Sequence, residues 1–458
     1  MRNVVLVGVV GLFLAGSWGC GSSPMAAAEA APADPGSYAA KETLAASDAA
    51  PAPPMQAAPG APAVATGPER SPALAGKAPP AVARDFNGVK AGEWDDNANY
   101  RDFLAYVSQQ EKLGIDRMDV SGRQFLIALD KKNQGVPSCA ISVADASGKS
   151  ITLKTAASGR ALFFPRASGL SGNRFTASSS CLSANDSAQI SFDASEADGA
   201  QVLKFKGERA LLATPTIDVV FVLDTTGSMS EEIQGVKDSI QAVVQKLDKR
   251  ATVRIGLVEY KDKGDSIVTK TYPFTTDLAA FEKTIAGISA SGGGDVPENV
   301  NAGLDVALKQ MKWSDASSAH MAFLIADAPP HLDYQDVPSY SVSAKKAAAQ
   351  GVKIFTVSAS GMNDLGQAVF RQVAQLTGGT NMFVLRGGAG SQSAGAGDAK
   401  SSCGKTHDNF TSGNLDQLIV SKIALEIKAL RTDPMLIAGR GQDENAKPCD
   451  KRVLLVAD

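Results

Sequence analysis

Residues 217–230 read IDVVFVLDTTGSMS, a run of strand formers that ends in Asp224 and is followed at alternate positions by the hydroxyls of Thr226 and Ser228. Carboxylate and hydroxyl oxygens brought to one point suit a hard divalent cation, and Mg²⁺ takes an octahedron of oxygens while keeping several waters. The hydroxyls add no formal charge, whereas an aspartate neutralises the ion. Each residue also has a plainer reading. Ser228-x-x-Glu231 is an acceptable capping box for the helical stretch that follows, and an aspartate just after a strand is often a turn residue.

The elements that would position these groups are legible around them. Strands are expected at 217–223, 253–260, 267–274, 321–326, 353–359 and 381–386, with helices between most of them and a last helix near 413–430. Strand and helix alternate in the order of a doubly wound, mostly parallel α/β sheet of six strands. In such sheets the ligand site lies outside the carboxyl ends of the strands. Asp224 follows one strand immediately and Asp327 follows MAFLIA immediately, so two carboxylates are expected on one rim.

DTTGSMS resembles the D-x-[ST]-G-S signature of von Willebrand factor type A domains, whose metal-ion-dependent adhesion site holds Mg²⁺ or Mn²⁺ and leaves one position for a partner. SGGGDVPEN (291–299) and LIADAPPH (324–331) follow in the family's order. The resemblance implies a Rossmann-like fold and a ligand set of Asp224, Thr226, Ser228, Asp295 and Asp327. Asp295 stands where many relatives have threonine. As a ligand it would make three carboxylates and a formally negative site, less welcoming to an acidic partner and open to Ca²⁺ or Mn²⁺ as well as Mg²⁺. With Pro297 in the first turn, Asp295-x-x-Glu298 could instead cap the next helix. The GGGDxPE and ADAPPH forms resemble a subset that includes hemicentin-type and atypical kinase-linked proteins, although no kinase-like segment is present.

Other acidic residues have mainly bland readings. Asp262 and Asp265 in EYKDKGD read as a turn, with a rim role as the alternative; His331, near the proposed metal, reads as a surface or loop-packing histidine, and Asp333 and Asp336 as a solvated loop, with a partner-facing surface as the alternative. The runner-up function is a metal-assisted hydrolase using the same aspartates. Against it, the sequence has no GxSxG, HExxH or Walker loop, and no second aspartate two residues after Asp224. A third reading is a structural envelope protein with a vestigial metal site.

Outside this region composition changes. Arg2 precedes the apolar run 4–16, which suits a signal-peptide h-region, and SWGC then ends at Cys20. That junction resembles the bacterial lipobox, which implies acylation of Cys20, an N-terminal lipid in the membrane, and an envelope location with the outer membrane favoured. Plain secretion with cleavage near 26–28 is the alternative. Residues 21–85 are rich in Ala and Pro and too poor in apolar bulk to fold; such a tether spans roughly 50 Å as a coil and at most about 200 Å as polyproline helix.

Residues 97–112 show helical spacing of Tyr100, Phe103, Leu104 and Val107. From about 121 to 212 short alternating runs predict a small all-β sandwich, and SGRALFFPR resembles a turn and strand of transthyretin-like, carboxypeptidase-regulatory-like domains. Four cysteines remain beyond Cys20: Cys139, Cys181, Cys403 and Cys449. In an exported chain they predict two disulfides with three possible connectivities, the simplest being Cys139–Cys181 and Cys403–Cys449.

The expected organisation is therefore a signal segment (1–20), a disordered linker (21–85), a helical segment (86–120), a β-sandwich (121–212), the α/β domain (213–388), a Gly/Ser loop with the last helix (389–431) and a tail (432–458) that could add an edge strand. A net charge of -3 from 45 basic and 48 acidic residues, without basic runs, argues against nucleic acid. The expected function is non-enzymatic, metal-dependent binding of a protein or envelope ligand.

Overall fold

A computed structural model describes residues 89–210, 212–247, 251–314, 318–359, 361–384, 411–431, 436–437 and 456–457. Cys20, Cys403, Cys449 and the linker 21–85 lie outside the described residues.

In chain order the elements begin with β1 (Lys90–Trp94) and α1 (Tyr100–Ser108). Seven strands follow: β2 (Gln124–Leu129), β3 (Ala140–Asp145), β4 (Ser150–Lys154), β5 (Arg160–Phe163), β6 (Arg174–Ser183), β7 (Asp186–Asp193) and β8 (Gly199–Lys204). The alternating part runs β9 (Thr216–Asp224), α2 (Ile233–Gln245), β10 (Thr252–Tyr260), β11 (Thr269–Thr275), α3 (Leu278–Ala286), α4 (Val300–Lys309), β12 (Ser318–Ala326), α5 (Tyr340–Gln350), β13 (Val352–Ser358), α6 (Asp364–Thr377) and β14 (Asn381–Val384). It closes with β15 (Thr411–Asn414) and α7 (Leu415–Arg431).

β9 forms the middle of this layer because its side chains are apolar on both faces. Ile217, Val219, Phe221 and Leu223 enter one core, with α2, α3 and α7. Val220 and Val222 enter the other, with α1, α4, α5 and α6. This period of two with both faces covered is what a buried parallel strand requires. The helices supply matching stripes, as in Ile233, Val236, Ile240 and Val243 of α2. The fold is thus mixed α/β, Rossmann-like, with a largely parallel sheet.

The sheet has eight strands in the order β11-β10-β9-β12-β13-β14-β1-β15, two more than the six expected. The additions are β1 and β15: β1 lies antiparallel between β14 and β15. The segment 86–120, expected only to carry a helix, is therefore part of the α/β core, and Phe103, Ile115, Met118 and Val120 are buried there. Gly92 is needed where the Phe383 ring crosses the strand, since an added Cβ would lie 2.3 Å from that ring.

Between β1 and β9 the chain forms two sheets, β5-β2-β8 and β4-β3-β6-β7, around one core that includes Leu126, Ile141, Phe163, Phe175 and Leu203. The all-β unit thus precedes the alternating α/β part, as expected, and β1 alone reaches the central sheet from before it. Cys139 and Cys181 are bridged across 42 residues in this unit. Arg209 links it to α7 by donating to the Leu430 carbonyl at 2.8 Å. The tail's Val456–Ala457 pairs with Leu436–Ile437 in a separate two-stranded sheet instead of extending the central one.

Candidate metal centre

The strand register brings the site residues to one rim. β9 and β10 run parallel with Asp224 opposite Tyr260, and β12 flanks β9 with Ile325 opposite Leu223. Asp327, just past β12, therefore reaches the same end as Asp224.

The turn after β9 is closed by the aspartate itself. Asp224 Oδ1 accepts the Thr226 N–H at 2.9 Å and the Thr226 hydroxyl at 2.7 Å. Thr226 and Ser228 hydroxyls stand 3.2 Å apart, and Ser228 donates to Asp327 Oδ1 at 3.0 Å. Ser228 thus faces the second aspartate and caps no helix; the short 3₁₀ turn at 227–231 is preceded by Thr226, and α2 begins at Ile233. Four of the expected residues, Asp224, Thr226, Ser228 and Asp327, are brought together.

Asp295 is placed elsewhere. It is exposed and groups with Asp262 and His331, their ligand atoms lying within 4.8 Å of one another. It does not cap α4 either, because Asn299 does, accepting the Ala302 N–H at 3.2 Å. The acid that this loop presents to Thr226 is Glu298, which sequence reasoning treated only as the end of a capping box. Its backbone is pinned to the loop after β12: Glu298 N–H donates to Pro329 O at 3.0 Å, and His331 N–H donates to Glu298 O at 3.1 Å. With Asn299 starting the helix, Glu298 is the last loop residue and its side chain is buried at the rim.

Glycine chemistry makes this closeness possible. Gly227 N–H donates to Gly292 O at 2.9 Å, joining the two loops. Gly292 and Gly293 have φ of 77° and 75°, a backbone region that favours glycine. Asp265 holds that turn by accepting the Gly293 N–H at 2.9 Å. Lys261, also missed from the sequence, is buried beneath both loops and donates to the carbonyls of Thr225 and Ser291.

Three carboxyls thus share this rim and feel one another's charge. Burial pushes Asp224 up to about 7, against the lowering effect of the Thr226 N–H and hydroxyl. Burial pushes Glu298 up to about 8, and the Asp224 charge adds to the shift. Asp327 is raised by burial and partly relieved by the Ser228 hydroxyl. Asp224 Oδ2 and Glu298 Oε2 are buried with no hydrogen-bond partner among the described residues. Buried oxygens left in this state carry a cost that a cation would remove. The donor set, carboxylate and hydroxyl oxygens only, fits a hard divalent ion.

Beside this rim, Tyr334 donates to both carboxylate oxygens of Asp262 at 3.0 Å. His331 stacks on Tyr334 with centroids 3.9 Å apart, the loop packing that the sequence suggested. Asp333 and Asp336 are solvated; Asp336 pairs with Lys263.

Residues 218–386 match the family described as von Willebrand factor A domain. The chain is 32% identical over 127 residues to the alpha-protein kinase vwkA of Dictyostelium discoideum, covering 27% of this chain and 20% of that protein. It is 38% identical over 103 residues to von Willebrand factor A domain-containing protein 7 of Rattus norvegicus, covering 22% of this chain and 11% of that one. The chain thus spans a fifth or less of the length of these curated relatives. A solved von Willebrand factor type A protein from Catenulispora acidiphila is 11% identical with a TM-score of 0.30, covering 56% of this chain and 48% of that one.

Proposed function

We infer, from a chain that carries a von Willebrand factor A domain over residues 218–386, that its rim binds a divalent cation and, through it, a protein or envelope partner. The observation that carries this reading is the run of contacts that joins Asp224, Thr226, Ser228 and Asp327 at one rim, with Asp224 Oδ2 and the neighbouring Glu298 Oε2 buried and without a hydrogen-bond partner among the described residues. Asp224, Thr226, Ser228, Asp327 and Glu298 would hold the ion, Mg²⁺ first and Mn²⁺ or Ca²⁺ next. When bound, the ion supplies an electrophilic coordination position. Three carboxylates outweigh its charge, so the set favours a neutral partner group over an acidic one. Val296 and Leu332, apolar side chains 60% and 39% exposed beside the site, offer a partner apolar contact.

The wider reading is an exported, lipid-anchored binding protein without catalytic activity. Its support is the apolar run before Cys20, the Ala/Pro-rich stretch after it and the Cys139–Cys181 bridge, since such bridges persist in oxidising compartments. Acylation of Cys20 would place the head at the bacterial envelope, with the outer membrane favoured. The all-β unit, on this reading a transthyretin-like module, would act as spacer or docking surface.

Calorimetric titration of Mg²⁺ into the chain tests the site. Wild type should bind one Mg²⁺, and Asp224→Ala should abolish it. Equal binding by the two proteins would remove the rim as a cation site. Chelator-sensitive capture of envelope proteins then tests the partner.

A further inference from the structure

Asp262, Asp295 and His331 come from three different loops: the end of β10, the glycine loop before α4, and the segment after β12. Their ligand atoms lie within 4.8 Å of one another. His331 is 7% exposed, and its Nε2 is buried with no hydrogen-bond partner among the described residues. That nitrogen lies 3.6 Å from Asp262 Oδ2, too far for a hydrogen bond. A buried imidazole nitrogen aimed at a buried carboxylate, yet bonded to nothing, is a group missing its partner.

The surroundings orient each ligand. His331 Nδ1 lies 2.8 Å from Asp333 Oδ1. With the ring donating there, Nε2 presents its lone pair inward, the arrangement seen in metal-ligating histidines. Tyr334 fixes the ring plane by stacking at an interplanar angle of 6° and donates to Asp262 from its hydroxyl. The neighbouring ammonium groups are occupied elsewhere: Lys261 bonds the Thr225 and Ser291 carbonyls, and Lys263 pairs with Asp336. Asp295 is exposed, which leaves the cluster an opening to solvent.

We propose that Asp262, Asp295 and His331 form a second cation site beside the first, suited to a borderline divalent metal such as Zn²⁺. One imidazole and two carboxylates match that class, whereas the oxygen-only set at Asp224 matches Mg²⁺. Asp295 thereby has a role that the first site does not give it. This site stands independently of the partner-binding reading.

The test is Zn²⁺ titration of the 458-residue chain held in saturating Mg²⁺, with bound metal counted after gel filtration. His331→Ala and Asp295→Asn should each lose one equivalent of Zn²⁺ or weaken it roughly tenfold or more. Asp224→Ala, which empties the first site, should keep that equivalent. Asp295→Asn alters an exposed side chain, so its loss cannot be ascribed to misfolding. Co²⁺ in place of Zn²⁺ should give ligand-field bands in wild type that His331→Ala changes. Unchanged Zn²⁺ stoichiometry and affinity in both cluster variants would overturn the proposal. So would loss of the zinc in Asp224→Ala alone, which would place it at the first site.

Discussion

Glu298 and Asp295 stand three positions apart in one loop, and their substitution separates two accounts of the rim. Glu298 contacts Thr226 and is buried, whereas Asp295 is exposed beside Asp262 and His331. Glu298→Gln should weaken Mg²⁺ by roughly tenfold or more, since it removes a charge from the ion's surroundings at low dielectric. Asp295→Asn should leave Mg²⁺ affinity within about twofold, its charge being exposed and screened. Titration of both variants checks this, and the reverse pattern would return Asp295 to the first site. Burial also sets a pH dependence. Glu298 at about 8 and Asp224 at about 7 keep protons that the unfolded chain releases near pH 4. Their raised folded values mean that this contribution to metal-free stability is complete below about pH 4 and is lost as pH rises through 7 and 8. Mg²⁺ must displace the same protons, so its affinity should rise over that window. Melting in chelator and in Mg²⁺ at about pH 5.5 and about pH 8.5 should show a larger Mg²⁺-dependent rise in Tm at the higher pH. A larger rise at the lower pH would contradict the buried-carboxyl account.

At the scale of elements, the glycine loop decides which acid faces the buried rim. Gly292 has a φ of 77°, and a Cβ there would lie 2.0 Å from Asp265 Oδ1. Gly292→Ala should cost roughly 1–2 kcal/mol from the left-handed backbone alone, and shifting the loop should weaken Mg²⁺ binding through Glu298. Gly294→Ala is the control, because nothing lies within 4 Å of an added Cβ there. Urea midpoints and Mg²⁺ titrations of the two variants should therefore diverge. Equal effects would mean that loop composition, not this turn, matters. The strand β9 was readable because its apolar run is long and central. Two signals were ambiguous in sequence: Ser228-x-x-Glu231 and Asp295-x-x-Glu298 both fit capping boxes. Capping chemistry is local, whereas the Ser228 partner is Asp327, 99 positions away.

For the whole molecule, the consequential feature is that β1, which was not expected as a strand, joins a sheet whose expected strands begin at β9. Asp96, just after β1, forms a buried pair with Arg371 of α6 at 2.6 Å. Asp96→Ala should destabilise the protein by roughly 3–5 kcal/mol, because the guanidinium would remain buried without its carboxylate. Chemical denaturation measures this; a change below about 1 kcal/mol would show that the pair is not what fastens β1 to the domain. A fragment starting at residue 213 lacks both Asp96 and β1 and should melt without cooperativity, while one starting at residue 86 should melt in one cooperative step. Cooperative melting of the shorter fragment would show that β1 is not needed for folding.

The sequence by itself determined the alternating α/β layer, the six strands from β9 to β14, and the delivery of Asp224 and Asp327 to one rim, because hydrophobic period and strand-end position are local properties of the chain. That Thr226 and Ser228 join them was implied by the family resemblance, and the contact of Ser228 with Asp327 was decided by the fold. It could not show that KAGEW is a strand. That segment has little β-forming character, and its partners in β14 and β15 lie far along the chain. Nor could it distinguish Glu298 from Asp295, since both occupy one polar loop. Only the tertiary structure sets the two acids apart, by pinning the Glu298 backbone between Pro329 and His331, capping α4 with Asn299, and leaving Asp295 exposed beside a histidine from another strand end.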